Sequence, residues 1–356
     1  MLLKILVCAL IGYILGCFNA AYYYARIKGD NIFALGSSNG GATNIGRQYG
    51  LKAGILVGVF DGLKMILALC LVSRLYGQSD ILSGITMLSC LAGHIFPFQL
   101  DFNGGKGAAS LIGAGLYLLP WLNIFLLFSI FLTLFIFQRN YKKSGFVLMF
   151  IGPIVIFFFI KPILALFFIM GILLVVYSHL PKKIKFKVAS SKMEFEQIAR
   201  LNYQTFVEEI PQHNANNEHL LVDKMHKKNF YIVGKKGARV IAMVALNQKR
   251  PFSLDQKIPD LDSYIPADKK LCEVRLLSIS PDFRKGKILA GLLSQIGKYI
   301  IKNKIDYLLI SGTTRELKMY RAFGFKPFYR LVGKEGAWYQ PMMLKIDFRE
   351  AEKWTN

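Results

Sequence analysis

Residues 93–110 read GHIFPFQLDFNGGKGAAS. Apolar sequence lies on both sides, so His94, Lys106 and the glycines Gly104, Gly105 and Gly107 sit in a short polar link between two hydrophobic segments. A glycine-rich turn that enters a helix presents backbone N–H groups, and a lysine beside it adds charge, so the link suits an anion. The nucleotide-binding pattern G-x-x-x-x-G-K-[ST] is missing, which removes a P-loop from the readings.

The segments around this link decide the fold. A spanning helix needs roughly 20 apolar residues, and 2–24, 51–73 and 81–100 have that length. Residues 107–137 are too long for one span and carry Pro120 near the middle, so they read as two shorter helices. Residues 145–160 and 163–180 follow, giving about seven helices. The start of the chain has Lys4 and an apolar run but no small-x-small cleavage site, so it reads as a retained membrane helix.

Residues 1–187 contain 16 Lys and Arg against 4 Asp and no Glu, and the remainder contains 29 basic against 18 acidic residues. The composition changes to that of a soluble domain at Glu194, which places a boundary at the basic stretch 181–187 and a linker at 188–192. Domains of 1–187 and 188–348 with a tail of 349–356 are expected. Alternating the spans collects the basic residues of 26–52, 101–106, 139–143 and 182–187 on one face. The positive-inside rule puts that face in the cytoplasm, the N-terminus outside and the second domain in the cytoplasm of an inner-membrane protein. The net charge of +23 suits anionic lipid or an acidic carrier. Nucleic acid is not expected, because so much of the charge flanks apolar helices. The five cysteines show no Cys-x-x-Cys spacing, and His213, His219 and His226 are irregular, so no metal is expected.

Two further features fall on the basic face. Residues 36–44, GSSNGGATN, are followed by Arg47. Small residues let N–H groups converge on an anion, Ser37, Asn39, Thr43 and Asn44 offer side-chain hydrogen bonds, and Arg47 offers a planar fork. Asp61 and Lys64 lie on one face of an otherwise apolar helix. Charges in such a helix are costly and usually face a polar cavity.

GSSNGGATN-x-x-R, FDGLK and GHIFPFQLDFNGGKGAAS, in this order and spacing, resemble the motif series of the membrane acyl-phosphate:glycerol-3-phosphate acyltransferases. The resemblance implies a multi-helix membrane fold with its motifs on the cytoplasmic side. It also implies acyl transfer from acyl phosphate to the sn-1 hydroxyl of glycerol 3-phosphate, giving lysophosphatidate without a cofactor. Arg47, Lys64 and Lys106 would neutralise the phosphates, with His94 or a substrate phosphate accepting the hydroxyl proton. Where the family has Ser-Ile-Pro, this chain has Cys17-Phe18-Asn19, and the late His-x-x-Asn motif reads His179-Leu-Pro-Lys182.

The second half reads as α/β, with helices over 194–207 and 288–302 and strands over 230–234, 239–246, 271–279 and 307–311. The stretches CEVRLLSISPDFRKGKILAGLL (272–293) and MYRAFGFKP (319–327) resemble the GNAT superfamily of N-acyltransferases. That resemblance implies an acetyl-CoA or acyl-CoA donor, its pyrophosphate held around Arg284, Lys285, Gly286 and Lys287. Tyr320 would be the acid toward the leaving thiolate, and Glu273 or a bound water the base. The insert 247–270 would cover an acyl chain, which fits acyl-CoA or acyl carrier protein as donor. The expected whole is a membrane acyltransferase with a fused N-acyltransferase. Its rivals are a catalytically degenerate membrane anchor carrying an active N-acyltransferase, and a transporter of a small anion.

Overall fold

The computed structural model describes residues 1–119, 161–284, 286–334 and 337–353. The expected helix break at Pro120, the helix over 145–160 and the basic stretch 139–143 lie outside the described residues. Contacts divide the chain into Met1–Lys182 and Lys183–Asn356.

The first unit is helical: α1 Leu2–Cys17, α2 Ala20–Ile27, α3 Ala42–Tyr49, α4 Leu51–Tyr76, α5 Asp80–Ile95, α6 Ala108–Leu118 and α7 Pro162–His179. Among the described residues, Leu2–Ile27, Leu51–Tyr76, Asp80–Leu100 and Pro162–His179 are long and apolar enough to cross a membrane. Leu3, Leu6, Leu10 and Ile14 of α1 and Leu56, Val59, Phe60, Leu63 and Leu67 of α4 are exposed at helical spacing. Such stripes face lipid tails rather than water. Inside the bundle, α1 lies so close to α5 that a Cβ on Gly16 would come within 2.1 Å of the Cys90 carbonyl oxygen. Small residues permit this approach where no hydrophobic force between helices is available.

The α1–α2 break, absent from the sequence reading, comes from Asn19. Its Oδ1 accepts from the Tyr22 N–H at 2.8 Å and caps α2. The last turn of α1 then needs other donors. Gln99 Nε2 donates to the Cys17 carbonyl and Lys64 Nζ to the Phe18 carbonyl, both at 2.6 Å.

The second unit is one mixed sheet with helices on it. Its strands are β1 Ile184–Val188, β2 Phe230–Lys236, β3 Arg239–Asn247, β4 Leu271–Ile279, β5 Tyr307–Thr313, β6 Lys326–Pro327, β7 Val332–Lys334 and β8 Ala337–Lys345. The order is β1-β2-β3-β4-β5-β8-β6, with β7 also on β8. Helices α8 Lys192–Tyr203, α9 Gly286–Asn303, α10 Leu317–Ala322 and α11 Phe348–Lys353 complete it. One face carries Ile241, Leu308, Ile310, Leu292 and Ile296, and the other Val233, Met243, Ile198 and Leu201.

Two expected boundaries shift. Residues 184–187, assigned from sequence to the membrane half, form the edge strand β1, and Phe186 packs against Gly291 of α9. Alternating Lys with Ile, Phe and Val over 183–188 is a strand pattern as well as a basic linker. The expected tail forms α11 up to Lys353, packed on α9.

All strand pairs are antiparallel except β4–β5. That parallel register runs only from Leu271↔Tyr307 to Glu273↔Leu309. Beyond it β4 continues with β3, and β5 continues with β8 as far as Thr313. The two strands therefore part, and a bulge in β4 with Leu276 at φ +54° bends it further. Beyond the last β4–β5 pair the two strands no longer pair with each other, and such open backbone edges can take an extended ligand.

Candidate functional site

In the first unit two glycine segments are tied into one surface. Gly104 N donates to the Ile95 carbonyl and Gly105 N to the His94 carbonyl, both at 3.0 Å. Gly40 N donates to the Gly104 carbonyl at 3.2 Å. A Cβ on Gly104 would lie 2.0 Å from the His94 carbonyl oxygen, and one on Gly105 2.1 Å from His94 Nε2. No other residue fits at either position. Gly107, at φ +87°, then turns the chain into α6, whose first N–H groups have no partner within the helix.

The sequence reading has the N–H groups of residues 36–44 converge on an anion. The structure corrects this. Ser37 N donates to Asn44 Oδ1, Ser38 N to Leu35, Gly40 N to Gly104 and Gly41 N to Asn39. Asn44, expected as a phosphate ligand, is buried, and its Nδ2 donates to the Leu35 and Asn39 carbonyls at 3.1 Å. It therefore holds the loop in shape. Asn39 is half-buried against Gly41. Ser37, Thr43 and Arg47 remain exposed and Lys106 half-exposed. Burial, and then the nearby charge of Arg47, push the Lys106 ammonium below its usual range. Among the described residues neither cation has a carboxylate within 4.0 Å. Two neighbouring cations without a protein counter-ion form a site for an anion.

Lys64 and His94 stand differently. Lys64 Nζ lies 2.6 Å from the Phe18 carbonyl, 2.8 Å from His94 Nδ1 and 3.0 Å from Asp61 Oδ1. Its polar partners are the Phe18 carbonyl and His94 Nδ1, with Asp61 as its ion-pair partner, so its charge is answered within the protein. His94 Nδ1 also lies 3.4 Å from Asp61 Oδ1, and its Nε2 packs on Gly105. His94 is 2% exposed. Its ring supports the glycine loop, and Asp61, Lys64 and His94 join α4, α5 and the α1–α2 break. His179, at the exposed end of α7, is near the loop through its neighbour: Ser178 Oγ donates to the Lys106 carbonyl at 3.0 Å. Sequence reasoning missed Ser178, Gln99 and the cap by Asn19. A polar residue at the end of an apolar helix is the signal they share.

In the second unit, Glu273 is fully buried and accepts from Ser253 N at 2.8 Å, Ser253 Oγ at 2.5 Å and Leu254 N at 3.2 Å. Arg275 Nε lies 3.5 Å from it. The expected base is therefore an anchor that pins the insert 247–270 to the sheet. Arg284, expected on a pyrophosphate, pairs with the Glu209 carboxylate and donates from Nε to the Ile279 carbonyl at 3.0 Å. Gly286 opens α9 and Lys287 is exposed, while Lys285 lies outside the described residues. The Tyr320 ring sits on Gly312 of β5, three residues beyond the last β4–β5 pair. Burial pushes its phenol up, against a smaller effect of Thr313, which keeps it protonated as a donor must be.

Residues 6–186 match the family model described as glycerol-3-phosphate acyltransferase. The chain belongs to this family. The glycerol-3-phosphate acyltransferase of Hydrogenobaculum sp. (strain Y04AAS1) is 39% identical over 127 residues, 35% of this chain and 64% of that protein. Glycerol-3-phosphate acyltransferase 1 of Oceanobacillus iheyensis is 34% identical over 152 residues, 41% of this chain and 72% of that protein. The first of these alignments thus spans just under two thirds of its relative. The crystal structure of PlsY, an integral membrane glycerol 3-phosphate acyltransferase, in its glycerol 3-phosphate form, is 28% identical with a TM-score of 0.45, covering 49% of this chain and 88% of that one. Residues 197–344 match the model described as N-acyl amino acid synthase FeeM. A glycerol-3-phosphate acyltransferase family domain is thus fused to an N-acyl amino acid synthase-like domain.

Proposed function

We propose that the first unit transfers a fatty acyl group from acyl phosphate to the sn-1 hydroxyl of glycerol 3-phosphate. The observation that carries this is the pair Arg47 and Lys106, whose charges act on each other beside the joined glycine loops and which have no carboxylate within 4.0 Å among the described residues. The hydroxyl oxygen attacks the acyl carbonyl, a C–O bond forms and the bond from carbon to phosphate oxygen breaks. The products are lysophosphatidate and inorganic phosphate. Departing phosphate takes the hydroxyl proton, since its second pKa is about 6. No protein base is then required, which agrees with the internal role of His94. Arg47 and Lys106 stabilise the charge that gathers on the phosphates, and Ser37 and Thr43 orient them. The charge pattern supports an N-terminus outside and glycine loops in the cytoplasm.

The second unit, in this reading, transfers an acyl group from a CoA thioester or an acyl carrier protein to the amine of an amino acid. The parting of β4 and β5 exposes backbone groups that fit a pantetheine arm, and the start of α9 with Lys287 fits its phosphates. The amine attacks the thioester carbonyl, the C–N bond forms and the C–S bond breaks. Tyr320 passes a proton to the thiolate, and the amine proton returns to solvent or to the phenolate.

The test is an assay on the full chain in detergent, with labelled glycerol 3-phosphate and either palmitoyl phosphate or palmitoyl-CoA. Lysophosphatidate from palmitoyl phosphate alone is expected. No lysophosphatidate from either donor, with amine acylation retained, would reduce the first unit to a lipid-embedded anchor.

A further inference from the structure

The insert 247–270 does more than cover the sheet. Phe252, Leu254, Ile258 and Leu261 pack on Leu309, the last residue of β5 that pairs with β4. Glu273 grips Ser253 and Leu254 from below. Held at both points, the insert lowers Lys257 onto the same sheet face. Its Nζ donates to Ser311 Oγ at 3.0 Å and lies 4.3 Å from the centre of the Tyr339 ring. Ser311 is two residues past Leu309, so the ammonium stands where β4 and β5 have just separated.

Its partners are weak ones for a charge. Among the described residues no carboxylate lies within 4.0 Å of Lys257 Nζ. The carboxylates nearby are engaged: Asp223 accepts both Arg275 terminal nitrogens at 2.7 and 3.1 Å, and Glu273 holds the insert. A hydroxyl and an aromatic face leave a half-buried ammonium short of the charge-assisted hydrogen bonds that compensate desolvation. Burial pushes its pKa down, only partly countered by Glu273. Structural lysines are normally exposed or paired, and this one is neither.

We propose that Lys257 binds the carboxylate of the amino acid acceptor. This rests on the reading of the second unit as an N-acyl amino acid synthase and names the group by which it selects its substrate. A carboxylate on Lys257 would place the α-amine, two bonds away, within the opening between β4 and β5. There it meets the thioester carbonyl. A simple amine would lack this hold, so free amino acids would be preferred over their amides.

The experiment uses the full chain in detergent with palmitoyl-CoA. The proteinogenic amino acids are screened as acceptors, and the best of them is compared with its own amide. Loss of one charge-assisted contact corresponds to about a ten- to hundredfold effect. Lys257→Met, which keeps most of the length of the side chain, should raise KM for the amino acid by that factor and erase the preference for acid over amide. Lys257→Arg should restore part of both, which a misfolded variant would not. An unchanged acceptor KM in Lys257→Met, or a rise in the KM for palmitoyl-CoA instead, would overturn the assignment, the latter pointing to a donor phosphate. If the wild type acylates acid and amide equally, the carboxylate role fails while the synthase reading stands. If it acylates no amino acid, the reading itself falls, and the role of Lys257 with it.

Discussion

Lys64 and Lys106 flank the same glycine loop, and their surroundings give them opposite work. Lys106 feels the charge of Arg47 and, among the described residues, meets no carboxylate, so removing it should cost transition-state stabilisation. Lys106→Ala and Arg47→Ala should each lower the turnover of palmitoyl phosphate about 100-fold or more, read from labelled lysophosphatidate. Lys64 is enclosed by Asp61, His94 and the Phe18 carbonyl. Lys64→Met leaves Asp61 a buried charge with only His94 beside it, a change worth about 3–5 kcal/mol. It should lower the thermal midpoint in detergent, and adding Asp61→Asn should recover most of the loss. A Lys64→Met protein with wild-type thermal stability and no activity would instead return Lys64 to the list of substrate ligands. Residue types and spacing made all of these positions visible in the sequence. Their roles were not visible, because what separates a ligand from a strut is which partners the other helices bring. His94, Glu273 and Asn44 have partners within the protein that the sequence did not show.

At the scale of elements the sequence was more legible. Apolar runs and alternation found α4, α5, α7 and β2 to β5 to within a few residues, since hydrophobic periodicity is a local property. The α1–α2 break and β1 were not found. The break depends on donors from distant Lys64 and Gln99, and β1 depends on pairing with β2. Helix α8 shows a local signal and a tertiary one together. Ser191 and Glu194 form a capping box, and the buried Glu194 also receives Lys187 and Lys235. Burial alone would raise its pKa, yet hydrogen bonds from Lys235, Ser190 N and Lys187 outweigh that and hold it at about 2. A carboxylate depressed in the folded state stabilises above its ordinary pKa, and that contribution is lost as pH falls toward the folded value. The second unit should therefore weaken between about pH 4.5 and 2. Glu194→Gln should remove roughly 2–3 kcal/mol at neutral pH and flatten this acid limb. Urea unfolding followed by circular dichroism across that range is the check, and an unaltered acid limb in the variant would contradict it.

For the whole molecule, the question is whether the fused units depend on each other for chemistry. Each has its own core: Met65, Leu91 and Phe168 in the first, and Ile241, Leu292 and Met342 in the second. Each candidate site is also assembled within one unit, Arg47 and Lys106 before Lys182 and Lys257 and Tyr320 after it. Neither proposed reaction borrows a reacting group from the other, and the donors differ in kind, an acyl phosphate for one and a thioester for the other. Lys106→Ala should abolish most lysophosphatidate formation and leave amino acid acylation within about twofold of wild type, because the two proposed sites share no residue. Tyr320→Phe should do the reverse, slowing amine acylation about 100-fold, as loss of a general acid does. Both activities are measured on one preparation of each full-length variant, with palmitoyl phosphate and palmitoyl-CoA supplied separately. If Lys106→Ala silences both reactions while its thermal midpoint is unchanged, the units are coupled, and lysophosphatidate or its phosphate site must feed the second reaction.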